Sequence, residues 1–459
     1  MNMDSASVLS LSSLSAVQLS SLVRRREVSS EEITRVFLEQ AKARNPELSA
    51  FASITEGLAL RMARRVDAVR KPTSASALWG VPLGVKDLHL VRGTFTRLGS
   101  RAFRYLVAPI DDPLAARLRS AGTVFIGKTA TSELGMSPVT EPDIHSPTRN
   151  PWDLTRTAGG SSGGAGSALA AGLLPIAEGS DGAGSIRIPA SLNLLFGFKA
   201  SRGVLVNPHR AVDRLELAVC GPIAKTTSDA AAMLDVLRER SGPSLLQGID
   251  RAPKRLRVRF ATFTPLGPTH PEIAEAVIRV AKILASMGHD VEEAPWYDGT
   301  VDDFLPLWRS LAARAPVRFP AKLQPMTKWL RDAGQSTTDA DVDRAFAHFG
   351  GRTVEWFGDV DVWLSPTTPI LAPVIGSLTR ATPRETFDAV APLGHLTAIF
   401  NVTGQPAASV PMGLSREGLP MGAHLVGRLG QDRALLALCR QLEQAMPWAH
   451  HYASRRDAA

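Results

Sequence analysis

The sequence predicts an α/β protein built on a buried sheet, and three observations carry that reading. Short β-branched runs bounded by glycine, "GVPLGVKD" and "GTVFIGK", read as strands covered on both faces. Between them "DDPLAARLRSAG" has helical spacing, so strand, helix and strand follow closely along the chain. The composition, 44% hydrophobic and 21% charged over 459 residues, is that of a globular chain with a substantial core. Length alone would accommodate two or three domains, although α/β enzymes of this size often form one unit.

Taken in order, Ser29 followed by Glu32 is a capping-box pattern, and Ile33, Val36, Phe37 and Ala41 recur at helical spacing behind it. An N-terminal helical arm is expected over residues 8–70, and a core segment of strands and helices over 78–240. Within that segment "SALAAGLLPIAEG" reads as a helix running into a strand, "NLLFGFKASRGVLV" continues the sheet, and "DAAAMLDVLRER" closes it as a helix. "SGPSLLQGIDRAPK" reads as a loop within one fold. "RLRVRFA" reopens strand texture, and Ile273, Val277, Val280 and Leu284 mark an amphipathic helix. Residues 300–356 read as a helical insertion beside the sheet. "DVWLSPTTP" and "PMGAHLVGRLG" read as late strands before a final helix, "DRALLALCRQLEQA".

Charge and cysteine usage exclude several classes of function. The balance of 52 basic against 44 acidic residues gives +8, but arginine is spread along the chain and the one tight run, Arg24 to Arg26, is short, so no nucleic-acid partner is expected. Cys220 and Cys439 have no CxxC neighbour and no clustered histidine in sequence, which signals neither a disulfide framework nor a metal site. Serine interrupts every apolar run of the N-terminus, and its basic cluster follows the apolar residues instead of preceding them, unlike a signal peptide. No stretch approaches the ~18 apolar residues of a membrane span. A cytoplasmic protein without a membrane partner is the expectation.

Two glycine-rich loops deliver serines. "TAGGSSGGAGSALAAG" (157–172) carries Ser161 and Ser162, and "GSDGAGSIRIP" carries Ser185. Glycine is tolerated where a chain turns sharply or approaches something closely, so the serines are the natural point of these loops. Residues 122–129 match the GxxxxGK[ST] phosphate-loop pattern, yet Thr-Val-Phe-Ile at its centre is strongly strand-prone, and a core strand ending at Lys128 is the better reading. Residues 159–163 match GxSxG, which would make Ser161 the nucleophile of an α/β-hydrolase-type serine esterase. That motif must follow a buried strand and use a later histidine, whereas "NPWDLTRTA" precedes it, and none of His209, His270, His289, His348, His395 or His424 is marked out. Lys86 lies in a predicted buried strand in which alternation turns it away from Asp87. Desolvation lowers a lysine's pKa, so two serines and a neutral lysine make a proton relay.

These segments, together with "AGTVFIGKTATSELG", "NLLFGFKAS" and "LSPTTPILAPVIG", resemble the amidase signature family of serine hydrolases, in order from about residue 10 to residue 447. The resemblance implies a single α/β/α domain across residues 1–459, with a large mixed, twisted sheet covered by helices. It implies an amidase acting on C–N bonds of linear amides, with esters and carbamates as further candidates. By position, the catalytic lysine falls on Lys86, the cis-peptide serine on Ser161 and the nucleophile on Ser185, while Ser162, Asp181 and Arg187 match supporting residues. The oxyanion hole is implied at the N–H groups of Gly182, Ala183, Gly184 and Ser185. Ala183 stands where the family usually has glycine, and the expectation is that it keeps a negative φ. Met136, Ile399, Phe400 and Asn401 fall in segments that approach the acyl pocket. No cofactor or metal is implied, the partner is a small amide-type substrate, and a homodimer is compatible. A subunit role in a transamidation complex is the alternative.

Overall fold

The capping box at Ser29 is closed in both directions: Glu32 N–H donates to Ser29 Oγ (3.1 Å) and Ser29 N–H donates to Glu32 Oε2 (2.8 Å). It starts the helix Ser30–Leu48, whose Ile33, Val36, Phe37 and Ala41 are buried. A computed structural model describes residues 11–70 and 76–452 of the chain. The first three residues of the expected arm (8–10), and residues 1–10, 71–75 and 453–459 of the expected domain, lie outside the described residues.

Thirteen strands occur in order among the described residues: β1 (Phe51–Ile54), β2 (Pro82–Lys86), β3 (Val124–Thr129), β4 (Arg149–Asn150), β5 (Asp153–Thr157), β6 (Ile176–Asp181), β7 (Phe196–Lys199), β8 (Val219–Ala224), β9 (Arg257–Phe260), β10 (Asp290–Glu293), β11 (Val362–Pro366), β12 (Ala407–Leu414) and β13 (Pro420–Gly427). Eleven of them form one sheet in the order β1-β3-β2-β6-β8-β7-β12-β13-β11-β9-β10, and β4 and β5 pair separately. The sheet is mixed: β2 runs parallel to β3 and β6, and β9 parallel to β10 and β11, while the remaining neighbours are antiparallel. The central strands β2, β3, β6, β7 and β8 are buried along their whole length, polar residues included.

The helices follow the apolar periodicity. Pro113–Ser120 starts at Asp112, whose carboxylate accepts the Ala115 N–H, and Pro271–Ser286 buries Ile273, Val277, Val280 and Leu284. The stretch 300–356 contains Val301–Arg314, Pro325–Gly334 and Asp339–Phe357. A helix the sequence reading passed over, Pro383–Val402, packs against all three. The phosphate-loop match is resolved in favour of the strand: Lys128 is buried in β3, and its Nζ donates to Asp87 Oδ1 (3.0 Å), His89 O (2.7 Å) and Thr96 Oγ1 (3.2 Å). Among the described residues no helix is long and apolar enough to cross a membrane.

Candidate active site

Because β2 and β6 are parallel neighbours, their carboxyl ends leave the sheet at the same edge, and Lys86 and Asp181 are their last residues. Lys86 is fully buried, and its Nζ lies 2.7 Å from Ser161 Oγ, 2.9 Å from Ser180 Oγ and 3.1 Å from Ser180 O. Burial lowers its pKa to about 8, against the opposing pull of Glu178, Cys220 and Asp181. Asp87 points the other way, to Lys128, as alternation along the strand requires.

Ser161 enters through a cis peptide bond after Gly160, in the loop between β5 and the helix Gly163–Ala170. A Cβ on Gly160 would sit 2.9 Å from the Val139 backbone, so only glycine fits there. Ser162 ties the two serine loops together, its N–H donating to Ser185 O (3.3 Å) and its hydroxyl to Ser180 O (3.4 Å).

The Ser185 loop is held from beneath. Asp181 accepts from Gly184 N–H (2.6 Å), Ile186 N–H (3.2 Å) and Arg187 N–H (3.4 Å), and takes Arg187 in a two-point pair at 2.8 and 2.9 Å. Burial alone would raise this carboxyl; Arg187, Lys199 and the Gly184 N–H hold it well below the usual carboxylate range. The Gly184 N–H assigned to the oxyanion hole is thus already engaged with Asp181. Among the described residues, the N–H groups of Gly182, Ala183 and Ser185 have no acceptor, which leaves three donors on the loop. Gly184 has φ +121°, and a Cβ there would overlap Thr397 Oγ1. Ala183 is not among the residues with positive φ, in keeping with its side chain.

Ser185 stands on a wall between two cavities. One, about 680 Å³ including its mouth, is almost wholly apolar and is lined by Met136, Ala183, Ile188, Trp308, Phe387 and Ile399 among others. The other, about 860 Å³, contains Ser161, Ser180, His209 and Asp213; Ser185, Met136 and Trp308 belong to both. Two pocket expectations need correction. Phe400 is 0% exposed and packs against Trp296, Trp356 and His424, so its ring belongs to the core. Asn401, 1% exposed, is a brace beneath the loop: its Nδ2 donates to Asp181 O (2.6 Å) and Leu217 O (2.9 Å), and its Oδ1 accepts from Arg187 (2.7 Å).

Ser180, Thr397 and Trp308 escaped the sequence reading. Ser180 was findable, since alternation in "AEGSD" puts it on the same face as Glu178 beside the serine loops. Thr397 Oγ1 donates to Ala183 O (2.7 Å), fixing the Ala183–Gly184 peptide just ahead of Ser185. An expected outcome follows for Ala183. Ala183→Gly removes no donor and changes kcat/KM by less than about fivefold, whereas Ala183→Val crowds the turn and displaces N–H groups each worth on the order of 3 kcal/mol to a developing oxyanion. Steady-state kinetics on one chromogenic amide check both; a Val variant as active as the parent would remove the loop from the oxyanion site.

The family described as Amidase matches residues 32–436. The 6-aminohexanoate-cyclic-dimer hydrolase of Paenarthrobacter ureafaciens is 34% identical over 472 residues, covering 93% of this chain and 94% of that protein. A solved structure of 6-aminohexanoate cyclic dimer hydrolase complexed with substrate superposes with a TM-score of 0.88 at 29% identity, covering 96% and 98% of the two chains. The peptide amidase of Stenotrophomonas maltophilia shares the fold, with a TM-score of 0.79 at 23% identity over 94% and 96% of the chains. The chain belongs to the amidase signature family and is a hydrolase of amide C–N bonds.

Proposed function

We propose that this enzyme hydrolyses carboxylic amides with a bulky, uncharged acyl group, through an acyl-enzyme on Ser185 formed by a Ser161–Lys86 relay. The observation that carries the reading is the buried Lys86 Nζ 2.7 Å from Ser161 Oγ, at the lip of the cavity that also holds Ser185. A neutral amine has two N–H donors and one lone pair. Two oxygens of Ser180 accept the donors, which leaves the lone pair for the Ser161 hydroxyl proton. Ser161 then takes the Ser185 proton as Ser185 Oγ attacks the carbonyl carbon. The developing oxyanion meets the loop N–H groups. When the C–N bond breaks, Ser161 returns the proton to the leaving amine and recovers its own from Lys86. Water cleaves the ester by the same relay. Ser161 and Ser185 hydroxyls are not hydrogen-bonded to each other in the free protein, and substrate binding is the step that aligns them.

The two cavities divide the substrate. The proton for the leaving amine comes from Ser161, which lines only the second cavity, so the amine side lies there and the acyl side occupies the first, the more apolar of the two. The apolar lining disfavours a small polar acyl donor of the kind a transamidation role would require. Esters and carbamates of similar shape present the same carbonyl. With a series of acyl anilides, each methylene buried contributes about 0.8 kcal/mol, or about fourfold in kcat/KM, until the cavity is full. Release of the aniline measures this directly. A flat series, or preference for a carboxylate-bearing acyl group, would reverse the assignment of the cavities.

A further inference from the structure

Beneath Lys86 lies a group of buried side chains that the relay does not use. His89 follows β2, Glu178 sits in β6, Cys220 in β8 and His209 in the connection between β7 and β8, so the sheet gathers residues far apart in the chain. Ligand atoms of His89, His209 and Cys220 all lie within 4.8 Å of one another. His89 Nε2 is 3.1 Å from Glu178 Oε1 and 3.8 Å from Cys220 Sγ. A buried atom of this group, His209 Nε2, has no hydrogen-bond partner among the described residues, and Glu178 Oε1 has His89 Nε2 alone. An unsatisfied buried polar atom is costly, and one beside a thiol and a second imidazole marks a place for a shared partner.

We propose that His89, His209 and Cys220, with Glu178 as fourth ligand, form a binding site for a divalent metal ion of the zinc class. Two imidazoles, one thiolate and one carboxylate suit a borderline-soft ion that favours four ligands, and the two anionic ligands neutralise its charge. Ligand atoms of a tetrahedral centre with those bond lengths stand roughly 3.4–3.6 Å apart, so the His89, His209 and Cys220 atoms, now within 4.8 Å of one another, draw together on binding and the Glu178 carboxylate beside His89 turns in with them. The outer partners are also in place. His89 Nδ1 faces Asp112 Oδ2 at 3.1 Å, the arrangement that turns the other ring nitrogen toward a metal, and Glu178 Oε2 is held by the Lys86 N–H at 3.1 Å. An ion here would tie the connection between β7 and β8, which carries His209 and Asp213 on the wall of the second cavity, to the sheet. Its role is structural, and the hydrolytic steps do not pass through it.

Cobalt is the probe. Full-length protein freed of metal, then titrated with Co²⁺, is expected to bind one equivalent with a thiolate-to-cobalt charge-transfer band. Cys220→Ser removes the band and Cys439→Ser keeps it. His209→Ala weakens binding by about tenfold or more. Asp112→Asn keeps a helix-capping oxygen but loses the carboxylate behind His89, and weakens binding by about 10–100-fold. Hydrogen exchange of residues 207–216 slows on loading, a readout independent of turnover. His450 and His451, ring to ring at 4.0 Å near the carboxyl end, are an adventitious alternative, so a His450→Ala/His451→Ala variant is run alongside. A spectrum without the thiolate band overturns the proposal. So does binding that survives both Cys220→Ser and His209→Ala but disappears with His450 and His451. Should Cys220→Ser not fold, the band in the parent protein and its weakening in His209→Ala decide the same question.

Discussion

Replacing Ser185 with alanine abolishes labelling by a fluorophosphonate and lowers turnover by about 10⁴-fold or more. The size of the effect follows from position. Ser185 is the serine on the wall shared by the two cavities that carries free N–H donors beside it, whereas the Ser161 hydroxyl is committed to Lys86 at 2.7 Å. Loss of its oxygen removes the covalent step itself and not merely its assistance. Mass spectrometry of the labelled peptide checks the assignment, because the two candidate serines fall in separate segments of the chain. Label on the Ser161 peptide, persisting in Ser185→Ala, would restore the nucleophile-elbow reading of "GGSSG".

Lys86→Ala lowers kcat/KM by about 10²–10⁴-fold and removes the rising limb of the pH profile. The sign is set by which form works: the relay needs the neutral amine, so activity rises with pH and levels off above the lysine's pKa of about 8. At pH 7 roughly a tenth of the lysine is neutral, and the rate falls about tenfold for each unit below. A histidine base would put the limb near pH 6.5 instead. Replacing His209 or His395 therefore leaves the limb where it is, whatever happens to its height. A limb that moved with either histidine, or that survived in Lys86→Ala, would remove the lysine from the base position.

Much of the fold was legible because its signals are local. The capping box at Ser29, the glycine-bounded strands at 82–86 and 124–129, and the helical stripe from Ile273 to Leu284 each lie within a few turns of chain. β1 and β10 were not read, since short edge strands depend on partners for their identity, and the interior strands β8 and β12 and the small pair β4 and β5 were missed as well. The serine loops themselves were legible for the same local reason, as glycine-rich stretches announce them. Asn401 was misread because its neighbours Ile399 and Phe400 are apolar, and nothing in "TAIFNV" says that the helix turns the amide toward Asp181. His89 and Cys220 stand 131 positions apart and were silent in sequence; only the adjacency of β2, β6 and β8 brings them together.

The carboxylate of Asp181 has a further consequence for the chemistry above it. In water, dipoles turn toward a new oxyanion only as the charge appears, and that turning is part of the activation barrier. Here three backbone N–H groups and one guanidinium converge on a single buried carboxylate, and Asn401 and Thr397 lock the peptides on either side. The neighbouring N–H groups of Gly182, Ala183 and Ser185 inherit directions they cannot relax from. In the proposed mechanism their reorientation is completed once, when the chain folds, and is not repeated at each turnover.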